Sequence, residues 1–391
     1  MDASQRKTKL AILLNMVAPY RLPLYSALAE RFNLLVLHGG KEANRDSWNG
    51  LEEALPKAKV IRAWGWQIRY AKKRSGEVFD EKFIHITPGF LWHLLRFQPD
   101  AVISNEMGFR TVIALAYATL FRKPVWIWWG GTLHTERNTG RIRKALRSVI
   151  TRWADHWVTY GQSSTEFLLA LGVKRERMLQ LQNGVDEARF QASVEPAWTI
   201  APKPVVLHVG QFIERKGIAL LIEAAANLQR QGCEFSLLLV GSGRDKPAIQ
   251  HRAESRGLKN VYFQNAQPPD RMPAVYRSAD LLVFPTLEDV WGLVANEAIL
   301  SGIPVLCSKY AGCAAELFPS ENTFSPDDLG EFTEKLRDGI SGRLSPADPS
   351  RLKTTRQTVA ELVEELNRVV PHMVDPDSDK RASLHARGDS Y

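Results

Sequence analysis

Twelve short apolar runs alternate with segments of helical periodicity along this chain. Seven lie in the first half: Leu10–Val17, Leu34–Gly39, Lys59–Ala63, Ala101–Ser104, Pro124–Trp129, His156–Tyr160 and Met178–Gln182. Five follow: Val205–Gly210, Ser236–Gly241, Val261–Gln264, Leu281–Phe284 and Pro304–Ser308. Most are apolar throughout rather than alternating, the pattern of parallel strands covered by helices on both faces. Strands alternating with helices predict βαβ units in doubly wound sheets. Two such series in 391 residues, more than one core accommodates, predict two α/β domains.

The break falls near 186–203, where polar, irregular residues run into Ala-Pro-Lys-Pro before a new apolar run begins. The expected division is residues 1–190, a linker at 191–203, a second domain at 204–350 and a C-terminal helix within 351–373. Residues 374–391 are charged and lack apolar periodicity, as in a disordered tail. Two open sheets facing each other put a ligand in the crevice beyond the carboxyl ends of their strands.

The balance of 51 basic to 43 acidic residues gives +8, which suits nucleic acid, anionic lipid or an anionic substrate. Three cysteines form no Cys-x-x-Cys pair and no ligand set with histidine, as expected of small buried hydrophobes in a reducing compartment. The N-terminus has no signal-peptide pattern, and no apolar run reaches the roughly 20 residues that span a bilayer. The expected location is cytoplasmic.

The charge is uneven. Arg137–Arg152 holds six basic residues and no acid, with Ile142, Ala145, Leu146, Val149, Ile150 and Trp153 at helical spacing. One apolar face toward the core and one cationic face toward solvent are expected. Arg62–Arg74 interleaves Trp64, Trp66 and Tyr70 with Arg69, Lys72, Lys73 and Arg74. A solvated loop or a contact with the inner membrane surface suits this stretch, because Trp and Tyr favour the interface and Lys and Arg meet anionic headgroups.

The segment Pro285-Thr-Leu-Glu-Asp289-Val-Trp291-Gly292-Leu293-Val-Ala-Asn-Glu297 reads as a strand end, an acidic loop and a glycine opening a helix. Backbone N–H groups at such a helix start suit a pyrophosphate, and carboxylates accept from sugar hydroxyls. Upstream, Gly210-Gln211-Phe-Ile-Glu-Arg215-Lys216-Gly217 joins a buried strand to a helical pattern. Adjacent cations there suit a diphosphate, and equally a solvated surface pair. Gly241 and Gly243 close the next strand. Trp128-Trp-Gly-Gly-Thr-Leu-His134 and Asn15-Met-Val-Ala-Pro-Tyr20-Arg21 follow strands of the first half.

These motifs resemble the retaining GT-B glycosyltransferases, specifically glycosyltransferase family four, whose signature is an acid, seven residues and Glu. Here Asp289 stands where the family has Glu, and Glu297 follows eight positions on. Lys216 matches the family's lysine, whereas Gln211 stands where arginine is common, which leaves Arg215 to supply a second charge. The resemblance implies two Rossmann-like domains across a cleft and metal-independent transfer of a sugar, as a hexosyltransferase, with retention of configuration. It implies catalytic roles for Asp289, Glu297, Lys216 and His134. Donor contacts fall to Arg215, Gln211, Gly241, Gly243, Trp291, Gly292 and Leu293, and the acceptor side to Tyr20 and Arg21, although Arg21 equally suits a helix-terminal salt bridge. Glu297 would accept from the ribose and Asp289 from the transferred sugar. By this count the neighbouring Glu288 is a bystander, and Glu288→Gln is expected to change little.

The implied partners are a nucleotide sugar and a glycan or lipid-linked acceptor, in polysaccharide, lipopolysaccharide or glycolipid synthesis. No metal or cofactor is called for. A sugar-nucleotide epimerase or a phosphorylase on the same fold is the first alternative. A nucleic-acid-binding protein is the second, without any nucleic-acid motif to support it.

Overall fold

A computed structural model describes residues 7–40, 50–74 and 77–370. The tail expected at 374–391 lies outside the described residues. The first half is built on β1 (Lys9–Leu14), β2 (Asn33–His38), β3 (Lys59–Arg62), β6 (Ala101–Asn105), β7 (Val125–Trp129), β8 (His156–Tyr160) and β9 (Met178–Leu181). They form one seven-stranded sheet in the order β3-β2-β1-β6-β7-β8-β9, parallel at every pairing. The second half holds β10 (Val205–Val209), β11 (Ser236–Val240), β12 (Val261–Gln264), β13 (Leu281–Phe284), β14 (Val305–Ser308) and β15 (Thr323–Phe324). Their order is β12-β11-β10-β13-β14-β15, again parallel. The two-residue β15 is too short to leave a periodic signal.

Continuous apolar runs become strands buried on both faces. In β1, Leu10, Ile12 and Leu14 enter one core layer and Ala11 and Leu13 the other. The helix Thr355–Val369 returns to the first sheet, burying Val359, Leu362 and Leu366 beside Leu10 and Trp126. Each such side chain is worth about 1.5–3 kcal/mol of burial. The intervening segment packs on the second half: Phe190 and Ile200 enter its core, and Ala197 N–H donates to Ala274 O.

Each sheet reverses its strand order once, between β1 and β6 and between β10 and β13. These are the switch points where open α/β sheets receive ligands. The halves meet along one edge through Gln182 Nε2 to Glu316 Oε1 at 2.7 Å, Gln162 N–H to Glu316 Oε2 at 2.9 Å and Ser163 Oγ to Gly312 O at 3.0 Å. These residues cluster at the β8–β9 side of the first sheet and beyond β14 in the second.

Two expectations need correction. The stretch Arg62–Arg74 is neither a solvated loop nor merely surface: β4 (Trp66–Arg74) pairs antiparallel with β5 (Glu77–Ile86) in a hairpin that follows β3. Its charges obscured an alternation in which Trp66 and Ile68 stand opposite Ile86 and Ile84. In the helix Arg141–Trp153 only part of the expected apolar face is buried, with Leu146 and Ile150 packing into the core. Ile142 and Val149 are exposed, whereas Arg147 is buried beside Ile150. Arg147 escapes the cost of an unpaired buried charge by pairing with Glu136 and lying 5.0 Å from the Trp129 ring centre.

Candidate active site

The loops after β10 and β13 build the centre of the site, at the switch point of the second sheet. Gly217 has φ +68°, and a Cβ there would stand 1.9 Å from Pro285 O. Only glycine allows this backbone approach, which draws the β10 loop onto the β13 loop. Leu287 N–H donates to Arg215 O at 2.9 Å, and Arg215 Nη1 donates to Glu288 O at 2.7 Å. The result brings Lys216 Nζ to 2.6 Å from Asp289 Oδ2, with Arg215 Nη1 at 3.6 Å from the same oxygen. Trp291 N–H donates to Asp289 Oδ1 at 3.3 Å. Burial alone would raise Asp289; the charges of Lys216 and Arg215 outweigh it and hold the carboxyl down at about 2.

Glu297 lies one turn inside the helix Leu293–Leu300 that Gly292 opens. Its Oε2 accepts from the Tyr276 hydroxyl at 2.6 Å. Burial drives its carboxyl up to about 7, against the Tyr276 hydrogen bond, which pulls down. Asp289 and Glu297 thus differ in proton affinity, the one held down by its cations and the other pushed up by burial.

The first half contributes His134. Its Nε2 lies 2.9 Å from Leu287 O, and its ring stacks on Tyr310 with centres 3.7 Å apart. Burial lowers its pKa, which favours the neutral ring. His134 and Tyr310 line a shallow cleft with Thr132, Ser163, Glu166 and Lys309.

Arg21 is 5% exposed, with its guanidinium 4.3 Å from the Trp128 ring centre and 5.2 Å from that of Tyr160. It makes no ion pair among the described residues, so the helix-terminal salt bridge is not formed, and its Nη2 has no hydrogen-bond partner there. Tyr20 flanks it at 5.9 Å.

Four assignments change in character. The Trp291 side chain is buried, its indole N–H bonded to Asn296 Oδ1 at 2.9 Å, so only its backbone is available to a donor. Gly241 and Gly243 are required by packing: a Cβ on Gly241 would stand 1.8 Å from Gly210 O, and one on Gly243 2.3 Å from Phe212 O. They hold the loops after β10 and β11 together. Gln211 is half-buried on the β10 loop, while Arg215 is the arginine that reaches Asp289. Glu288 is no bystander: it is 5% exposed, and both its oxygens accept from Lys72 Nζ at 2.9 Å. Lys72 is 216 residues away in sequence, which no local motif reveals.

This arrangement has known relatives. Residues 195–352, which hold Lys216, Asp289 and Glu297, match the model of the family described as glycosyl transferases group 1. They are a group 1 glycosyl transferase domain. The D-inositol 3-phosphate glycosyltransferase of Nocardia farcinica is 32% identical to this chain over 205 residues, 49% of this chain and 41% of that protein. The sulfoquinovosyl transferase SQD2 of Arabidopsis thaliana is 26% identical over 312 residues, 74% of this chain and 58% of that protein. The chain therefore spans about half the length of the curated relatives it matches. Among solved structures, Anabaena HepE in complex with UDP superposes with a TM-score of 0.65 at 17% identity, covering 97% of this chain and all of that one. Sucrose-phosphate synthase from Thermosynechococcus elongatus gives 0.64 at 17% identity, with 97% and 100% covered. The fold is GT-B, as the resemblance implied, and the strand–helix alternation had already predicted its two α/β domains.

Proposed function

We propose that the protein transfers a hexose from a nucleoside diphosphate sugar to an acceptor hydroxyl, with retention of configuration and without a divalent metal. The observation that carries this is the meeting of Lys216, Arg215 and Asp289 at the switch point of the second sheet, eight residues before Glu297. As the bond to the anomeric carbon breaks, negative charge grows on the leaving diphosphate. Lys216 and Arg215 stabilise it, assisted by the backbone amides around Gly292 and Leu293. Asp289 accepts from the sugar hydroxyls and Glu297 from the ribose. His134, held neutral, faces the transferred sugar. Retention follows the family resemblance, in which the acceptor attacks from the face that the phosphate leaves and the departing oxygen takes its proton.

Arg21, buried among aromatic rings with an unpartnered nitrogen in the turn Pro19–Arg21 that follows β1, suits an anionic group on the acceptor. A glycan or lipid-linked acceptor at the inner membrane surface, in polysaccharide or glycolipid synthesis, fits the cationic first half.

Thermal-shift titration with UDP-, GDP-, ADP- and TDP-sugars tests the donor. A binder raises the melting temperature in proportion to ln(1 + [L]/Kd). Absence of a shift with every one of them overturns the reading. Sugar release with no acceptor product would favour an epimerase or phosphorylase instead.

A further inference from the structure

The β4–β5 hairpin connects the first half to the donor loops at the edge opposite the Gln182–Glu316 contacts. It follows β3, the far strand of the first sheet from β9. Its targets follow β10, β11 and β13, whereas Gly312 and Glu316 follow β14. From the hairpin, Lys72 Nζ holds both Glu288 oxygens at 2.9 Å; Arg137, elsewhere in the first half, brings Nη1 to 3.5 Å from Glu288 Oε2. Asp80 Oδ2 lies 3.3 Å from Arg215 Nε. Arg244 donates to Val78 O and lies 3.7 Å from Glu81 Oε1.

We propose that this hairpin is a clasp that closes the cleft and positions Arg215, with Lys72, Asp80 and Glu288 as positioning residues. This rests on the transferase reading above. Arg215 has three contacts: a hydrogen bond to Glu288 O and an ion pair with Asp289 within its own half, and an ion pair through Nε with Asp80 from the other. When the halves part, Asp80 and Lys72 leave together. Arg215 loses one of its three anchors and Glu288 its main cation. The donor loop 286–289 is then held only from one side, so the two residues that face the leaving diphosphate and the sugar are in register only when the cleft is shut. Glu288 is buried in the closed state, and a buried carboxylate without its cation is strongly unfavourable. Its ionisation thus favours either the full clasp or an open, hydrated loop, which gives the element two discrete states rather than a continuum.

The test uses the full chain with Lys72→Met, Asp80→Asn and the conservative Lys72→Arg. Small-angle scattering without ligand gives a readout that needs no enzymatic activity. Lys72→Met and Asp80→Asn should each enlarge the radius of gyration and make it insensitive to salt, while the parent should expand as salt screens the pairs. Lys72→Arg should keep the parent's dimensions. With donor and acceptor, kcat should fall about tenfold in Lys72→Met, with donor Kd within about threefold, and recover in Lys72→Arg. Parent-like dimensions in both charge-removing variants overturn the clasp whatever the donor turns out to be. Equal loss of donor binding and transfer at unchanged dimensions makes Lys72 a donor contact and also overturns it. If scattering responds as expected but no nucleotide sugar binds, the clasp stands and the transferase reading fails.

Discussion

Lys216 and Asp289 are 73 residues apart in the chain, and their side chains meet at 2.6 Å. The pair lies where the second sheet reverses strand order, so that two loops converge on one point. A lysine held by a carboxylate is already ordered when a diphosphate arrives. It can share its three protons between Asp289 and phosphate oxygen rather than being recruited from solvent. The Lys216→Ala variant should fold and lose transfer. Loss of one charge-assisted hydrogen bond costs about 1.5–3 kcal/mol, roughly ten- to a hundredfold in kcat/KM. A near-parental kcat/KM would remove this lysine from the site.

Asp289→Asn keeps side-chain size and removes the charge. Its kcat should fall at least about tenfold with the radius of gyration unchanged, because the pairs that span the cleft run through Glu288 and Arg215. Asp289 also contributes to acid stability. Its folded pKa of about 2 lies below the ordinary 3.8, so the stabilisation is present above that ordinary value and is lost as pH falls toward 2. The Asn variant should therefore lose melting temperature at pH 6, close part of the gap by pH 3 and approach the parent only near pH 2. A difference that grows on acidification would contradict the pairing.

Glu297 should titrate in the working range. Burial raises its carboxyl to about 7, so the ionised acceptor that ribose hydroxyls need forms as pH rises through neutrality. Donor KM should fall between pH 6 and pH 8. The stability contribution runs the other way: a raised carboxyl pKa favours the fold at low pH and is lost as pH climbs through 7. Tyr276→Phe removes the hydrogen bond that lowers Glu297, and should move the KM midpoint to higher pH. A midpoint that stays fixed in Tyr276→Phe would show that another group sets it.

Transfer should persist in EDTA. Lys216 and Arg215 supply two positive charges where the proposed reaction places its leaving diphosphate, and no three His, Cys, Asp or Glu side chains converge to hold a metal among the described residues. Full loss on chelation, restored by Mg²⁺ or Mn²⁺, would require a different account of the charge.

The parallel strands were legible because burial on both faces writes itself into consecutive residues, as in Val205–Val209 or Leu281–Phe284. The Lys216–Asp289 centre was legible because each partner lies in a short local pattern at a strand end. The hairpin was not. Its alternation of Trp66, Ile68 and Tyr70 is diluted by Arg69, Lys72 and neighbouring charges, which read as solvated until Glu81 and Glu288 are seen as partners. Glu288 itself looked redundant beside Asp289, because its role depends on a lysine from the other half of the chain. The helix Arg141–Trp153 misled for a related reason. Leu146 and Ile150 reach the core as the spacing predicts, but Arg147 is buried beside them against a carboxylate and an aromatic ring, and Ile142 and Val149 face outward.

The outward face of this helix bears on what surface the protein meets. Ile142 is 89% exposed on the same helix as exposed Arg141, Arg143 and Lys144. Arg143 donates to the Tyr70 hydroxyl at 2.6 Å, which joins this helix to the hairpin bearing exposed Trp66, Ile68 and Ile84. Trp153 donates to Thr119 Oγ1 at 2.9 Å, which joins it to the helix ending in exposed Leu120 and Phe121. Trp92, 54% exposed, stands with Leu91 and Leu95 on the helix Gly89–Phe97. Among the described residues no helix is long and apolar enough to cross a membrane. Exposed apolar side chains interleaved with cations suit shallow insertion among anionic headgroups. Each cation near such a surface contributes about 1 kcal/mol, screened by salt. The protein should co-sediment with vesicles containing anionic lipid at low salt and be released as salt rises. Ile142→Ser combined with Trp92→Ser should reduce the bound fraction several-fold while transfer to a soluble acceptor stays unchanged, because neither residue touches the donor loops. Failure to co-sediment at low salt would rule out this surface as a membrane contact and leave a soluble acceptor as the better expectation.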